Sequence, residues 1–137
     1  MLSQLKQQSL PDKCVVLTAD DAYQSIAQNA YPLLKKYQMS MSVFVSSDSV
    51  DGKYKAMMNW QQMRDIQGDI MQFYNHSVGH THFVNLDKTN IDQQIQQAQK
   101  RLKNELNVDA KILAYPYGKA NLATFKQVKE LGYVAFG

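Results

Sequence analysis

Asp20 and Asp21 stand side by side just beyond an apolar run, and His76 and His80 stand four residues apart in a polar stretch further along. One carboxylate and two imidazoles form a donor set that a borderline-soft divalent ion accepts while keeping a coordination position open. The second carboxylate is then spare to act as a base. These residue types point to metal-assisted hydrolysis. Taken singly, each piece also has an ordinary reading. An Asp pair after a strand caps a helix or solvates a turn. Two histidines at this spacing lie on one side of a helical turn with or without a metal. Tyr115-Pro116-Tyr117-Gly118 is a turn with aromatic packing. His82, separated from His80 by Thr81, offers a second way to complete the histidine pair.

The elements that must position these groups alternate in type. Cys14 to Thr18 reads as a fully buried strand, with Cys14 as a small buried hydrophobe, and Ile26, Ala27, Ala30, Leu33, Leu34 and Tyr37 then recur at helical spacing. Pro32 is expected to kink or divide that helix. Met41 to Val45 is a second strand. Asn59 caps a helix through about Gln67, Gly68 stops it, and Ile70 to Tyr74 is a third strand. Ile91, Ile95, Ala98, Leu102 and Leu106 make the clearest amphipathic stripe, entered through Thr89. Ile112 to Ala114 is a fourth strand. A helix from an Asn121 cap to Gly132 should turn Leu122, Phe125, Val128 and Leu131 inward, and Tyr133 to Phe136 begins a fifth strand.

Strands alternating with helices imply an α/β fold with a mostly parallel sheet, because a parallel crossover has room for a helix. In such sheets, open or barrel-shaped, ligand sites gather beyond the carboxyl ends of the strands. The Asp pair follows strand one, the His pair strand three and the Tyr-Pro-Tyr-Gly turn strand four, so all three should meet on one rim.

Composition narrows the function classes. The 137 residues, 45% hydrophobic and 20% charged, suit one globular domain. The net charge of +3 comes from scattered lysines, which gives no nucleic-acid footprint. One cysteine excludes an internal disulfide, no window reaches the apolar length of a membrane span, and Met1 to Leu10 is too rich in glutamine for a signal-peptide core. Oligomeric state leaves no mark in the sequence.

Thr18-Ala19-Asp20-Asp21-Ala22-Tyr23, Asn75-His76-Ser77-Val78-Gly79-His80 and Tyr115-Pro116-Tyr117-Gly118 resemble, in order and spacing, the first three motifs of the polysaccharide deacetylases, the NodB-like enzymes of carbohydrate esterase family four. The resemblance runs from about Pro11 to Gly137 and takes in the Tyr31 to Tyr37 segment and Gly132-Tyr133. It implies an incomplete, distorted (β/α) barrel with about five parallel strands present. It implies Asp20 as general base, Asp21, His76 and His80 as metal ligands, Ser77 as a brace for the histidine loop and the Tyr117 backbone N–H as an oxyanion donor. The implied metal is zinc, although the ligand chemistry also admits cobalt or nickel. The implied reaction removes N-acetyl groups from an N-acetylglucosamine-containing polysaccharide. The implied location is the cell envelope or exterior.

The chain departs from the family pattern at several points. Ala19 stands for Phe, Ala22 for Gly and Ala114 for the arginine of the third motif. At Ala22 a position that can need glycine's freedom carries a Cβ. The family's fourth and fifth motifs, bearing a base-supporting acid and a later histidine, would follow Gly137, so residues 1–137 are expected to be one deacetylase-like domain lacking its C-terminal part. Two other readings stay open: a non-catalytic relative that binds saccharide or serves a structural role, and a receiver-like signalling domain with an acidic pair after strand one.

Overall fold

The computed structural model describes residues 13–137. The expectations for Met1 to Leu10 and for the Pro11 start of the resemblance lie outside the described residues. The chain runs through β1 (Leu17–Asp20), α1 (Tyr31–Tyr37), β2 (Met41–Val45), the short α2 (Ser47–Asp51), α3 (Trp60–Ile66), β3 (Met71–Asn75), the long α4 (Lys88–Leu106), β4 (Ile112–Ala114), α5 (Leu122–Glu130) and β5 (Val134–Phe136). A π-helical turn over Ile26–Ala30 leads into α1, and 3-10 turns over Phe83–Asn85 and Pro116–Gly118 follow β3 and β4. Among the described residues no helix is long and apolar enough to cross a membrane.

The five strands are parallel and hydrogen-bonded in sequence order, β1-β2-β3-β4-β5. An order without a reversal, with crossovers between parallel strands right-handed as a rule, lays the helices on one face and curls the sheet as a segment of a (β/α) barrel. The result is a distorted, open half-barrel. A receiver-like fold needs a doubly wound sheet whose order reverses, with helices on both faces. The strand order therefore removes that alternative.

Burial follows the strand period of two. Val43, Val45, Met71 and Phe73 are sealed against Trp60, Met63, Leu102 and Leu106, while Leu113 packs with Phe83, Ile91, Ile95 and Val128. The stripe of α4 thus serves both clusters, its first half one and its second half the other. Each fully buried aliphatic side chain on it contributes about 1.5–3 kcal/mol. The opposite, concave face carries Thr18, Asp20, Phe44, Gln72, Tyr74 and Phe136, with the Phe44 ring 6.0 Å from Tyr74 and 6.1 Å from Phe136.

Several expectations need correction. The first strand begins at Leu17, not Cys14; Val15 and Val16 are 75% and 49% exposed and Cys14 is an exposed thiol. The reason is its position at the sheet edge: among the described residues β1 pairs only with β2, and the register starts at Leu17 opposite Met41, so residues 13–16 have no described strand beside them. Pro32 does divide its helix. It sits in the first turn of α1, and the turn before it runs in π register, with the Tyr31 N–H donating to the Ile26 carbonyl. The cap of α4 is Asp87, whose Oδ1 accepts the Asn90 N–H at 2.8 Å, rather than Thr89. In α5 the inward face is Thr124, Gln127 and Val128, and Leu122 and Phe125 are 79% and 54% exposed. Gln127 sets this rotation, because its amide donates to the Lys88 carbonyl and to Asp92 at the start of α4. The short α2 was not foreseen at all.

Candidate active site

The rim at the carboxyl ends of β1, β3 and β4 gathers the three motif groups. His76 is the first residue past β3, and its N–H donates to the Val45 carbonyl at 3.0 Å, carrying the pairing with β2 one step beyond the strand. Strand alternation then sends Asn75 to the helix side and His76 to the concave side. His76 is fully buried, and its Nδ1 lies 3.0 Å from the Ala114 carbonyl. A carbonyl only accepts, so Nδ1 carries the proton and Nε2 presents its lone pair. That Nε2 is buried without a hydrogen-bond partner. An imidazole oriented through one nitrogen, with the other free, is in the form that ligates a divalent ion.

Asp21, His76 and His80 each place one ligand atom so that all three lie within 4.8 Å of one another. This donor set fits a divalent ion such as zinc. His82 is not in the group. It lies on the Tyr117 ring at 3.7 Å and 17°, while the His80 ring is 4.7 Å from His76 and 4.5 Å from Tyr117. Of the two histidines, His80 is the one whose ring nitrogen approaches Asp21 and His76.

Burial lowers the His76 pKa below the ordinary 6.5, because charging the ring there forfeits its hydration. The hydrogen bond to Ala114 and the Asp20 carboxylate oppose that shift, His80 adds to it, and Asp21 opposes it more weakly than Asp20 does. Both carboxylates therefore act on the same imidazole. Asp20 is the last residue of β1 and exposed, directly within reach of the rim.

Backbone strain is concentrated here. Eight described non-glycine residues have positive φ, and four of them are Asp21 (56°), Ser77 (69°), His80 (49°) and Tyr117 (61°). Gln38 and Asn107 share that conformation as helix C-caps, where it ends a helix. The four at the rim instead re-aim side chains, at a cost of about 1–2 kcal/mol each. Continued alternation would send Asp21 to the helix side with Ala19; the left-handed turn brings it round to the histidines. Ala22 is not among these residues, so the position where relatives carry glycine makes no demand for it here.

Hydrogen bonds hold the histidine loop from three directions. The N–H groups of Ser47 and Asp48 donate to the Ser77 and Val78 carbonyls at 3.2 and 3.0 Å, and Ser46 Oγ donates to Val78 at 2.8 Å. Gln94 Oε1 accepts the Gly79 N–H at 2.9 Å from α4. Ser77 Oγ accepts the His80 N–H at 3.1 Å, the bracing expected of it. Gln94 and the buried Asn75 were missed. Asn75 continues the inward series of Met71 and Phe73, so a polar residue at that step was a signal open to reading.

The polysaccharide deacetylase family model matches residues 7–136. The chain belongs to the polysaccharide deacetylase family. This deacetylase-family chain is 30% identical over 133 residues to YxkH of Bacillus subtilis, covering 97% of the chain and 46% of that protein. It is 23% identical over 170 residues to the poly-beta-1,6-N-acetyl-D-glucosamine N-deacetylase of Escherichia coli, covering 93% of the chain and 25% of that protein. Among solved structures, the Streptococcus pyogenes deacetylase PplD in complex with acetate superimposes with a TM-score of 0.88 at 27% identity, covering 96% of the chain and 58% of its own. The chain spans less than two thirds of the length of each of these relatives.

Proposed function

We propose that this chain carries the metal-dependent catalytic core of an N-deacetylase acting on an N-acetylglucosamine-containing polysaccharide, with poly-β-1,6-linked chains the first substrate to try. The observation that carries the proposal is the convergence of Asp21, His76 and His80 ligand atoms within 4.8 Å, with His76 Nε2 buried and unpartnered. Asp21, His76 and His80 would hold a divalent ion, zinc in the first instance. Such an ion polarises a carbonyl and brings the pKa of a bound water towards roughly 7.

Asp20, exposed beside the ligand group, accepts the proton of the water that attacks the acetyl carbon. The Tyr117 backbone N–H, in its left-handed turn, donates to the oxyanion that develops on the acetyl oxygen. Departure of the sugar nitrogen requires a proton, and Asp20, protonated in the attack, is the group at hand to return it. Acetate and the protonated amine result, with one water consumed. The Escherichia coli relative is named for poly-beta-1,6-N-acetyl-D-glucosamine, and action on such a polymer would put this chain at the cell envelope or outside it.

Acetate release from N-acetylglucosamine oligomers tests the proposal. The expected outcome is release by the wild type, lost on chelation and on Asp20→Asn, with the Asp20→Asn variant still binding zinc. Oligomer binding by the zinc-loaded wild type without acetate release would instead support the non-catalytic saccharide-binding reading.

A further inference from the structure

We infer that Asn75 is a positioning residue for the metal site: its buried amide ties α4 to the histidine loop and, through Ser77, fixes where His80 presents its ring. The inference rests on the reading of Asp21, His76 and His80 as metal ligands. Asn75 is fully buried at the last position of β3, pointing away from the ligands and into the helix layer. Its Nδ2 donates to the Ile95 carbonyl at 2.9 Å and to Gln99 Oε1 at 3.3 Å, and its Oδ1 accepts the Ser77 N–H at 2.8 Å. Ser77 in turn accepts the His80 N–H. The path from helix to ligand is therefore three hydrogen bonds long and passes through the two left-handed residues of the loop, Ser77 and His80.

An amide meets both ends of this path. The helix side presents a carbonyl, which demands a donor, and the loop side presents an N–H, which demands an acceptor. Gln99 is itself fixed, its Nε2 donating to the Val108 carbonyl at 2.9 Å and its Oε1 accepting from Tyr133 at 3.3 Å. The amide of Asn75 is thus set by a network spanning β3, α4 and Tyr133, the residue before β5. Losing it leaves the buried Ser77 N–H unpaired and releases the strained turn that His80 depends on. Groups hydrogen-bonded directly to a ligand typically govern metal affinity by roughly 10–100-fold, and Asn75 acts on His80 from one hydrogen bond further out, through Ser77.

The test is zinc affinity by competition with a chromophoric chelator, alongside the thermal stability of the metal-free protein. Asn75→Ala should weaken zinc binding about tenfold or more. In a His80→Ala background the same substitution should change it by less than about twofold, because the ligand through which it acts is gone. Asn75→Asp keeps the acceptor for Ser77 and loses the donor to Ile95, so it should lower stability while holding affinity within about threefold of wild type. This variant decides the matter if Asn75→Ala does not fold, and a tenfold loss in it overturns the inference. Unchanged affinity in Asn75→Ala, or an equal loss with and without His80, overturns it while leaving the ligand set intact. No zinc uptake by the wild type overturns the ligand set and the inference with it.

Discussion

The sharpest distinction at the residue scale lies between two histidines separated by a single threonine. His80 joins Asp21 and His76 in one group, whereas His82 lies flat on Tyr117. His80→Ala should therefore abolish tight zinc binding and His82→Ala should leave its stoichiometry unchanged, as metal analysis of the purified variants would read directly. Zinc loss in both would mean that the third imidazole also ligates. The proposed role of Tyr117 lies in its backbone, and the side chain is half-exposed. Tyr117→Phe is then expected to retain acetate release. Sequence spacing could bring the aspartates and histidines to one rim through topology alone, but it could not choose between His80 and His82. That choice rests on the left-handed turns at Ser77 and His80, and neither residue type commits the chain to such a conformation.

At the scale of elements, the long helix holds the layers together. Ile95 is fully buried in the cluster beneath β4, so Ile95→Ala should destabilise by about 2–5 kcal/mol in denaturant titration. Leu122, at an equally apolar position of α5, is exposed and should cost no more than about 0.5 kcal/mol on truncation. The helical pattern identified both helices, yet only α4 has the face that periodicity assigns it. In α5 Val128 and Leu131 do pack on the core, but the polar contacts of Gln127 turn Leu122 and Phe125, the other two residues of its stripe, outward. The strands show the same division. Met41–Val45 and Ile112–Ala114 lie where their hydrophobic runs place them, because each has a partner on either side. The Cys14 run has the apolar character of a strand without forming one before Leu17, because hydrophobicity does not reveal a missing neighbour. The Asn59 capping box, in which Asn59 and Gln62 satisfy each other's backbone N–H groups, was half legible, since the cap residue was recognised and its partner was not.

Over the whole molecule, a charged cluster joins the short helix α2 to α4. Arg101 pairs with Asp51 at 2.7 Å and with Glu105 at 2.7 Å, and Trp60 Nε1 donates to Asp51 at 2.8 Å. The hydrogen bond from Arg101 chiefly holds the Asp51 carboxyl below its usual 3.8, with desolvation opposing it. A carboxyl whose folded pKa is depressed adds stability above the unfolded value and loses it as pH falls through the folded one. The stability difference between wild type and Arg101→Met should accordingly be present at neutral pH and shrink as the pH is taken below 3.8, with the melting temperature of each as the measure. The pair is partly exposed, so salt should weaken it as well.

The account stands on the meeting of Asp21, His76 and His80 around one cation. Zinc content after loading and exhaustive dialysis, measured on the wild type and on His76→Ala side by side, tests that meeting without requiring turnover. Stoichiometric zinc retained by the wild type and lost from His76→Ala is the predicted result. Equal, low zinc in both proteins would contradict it.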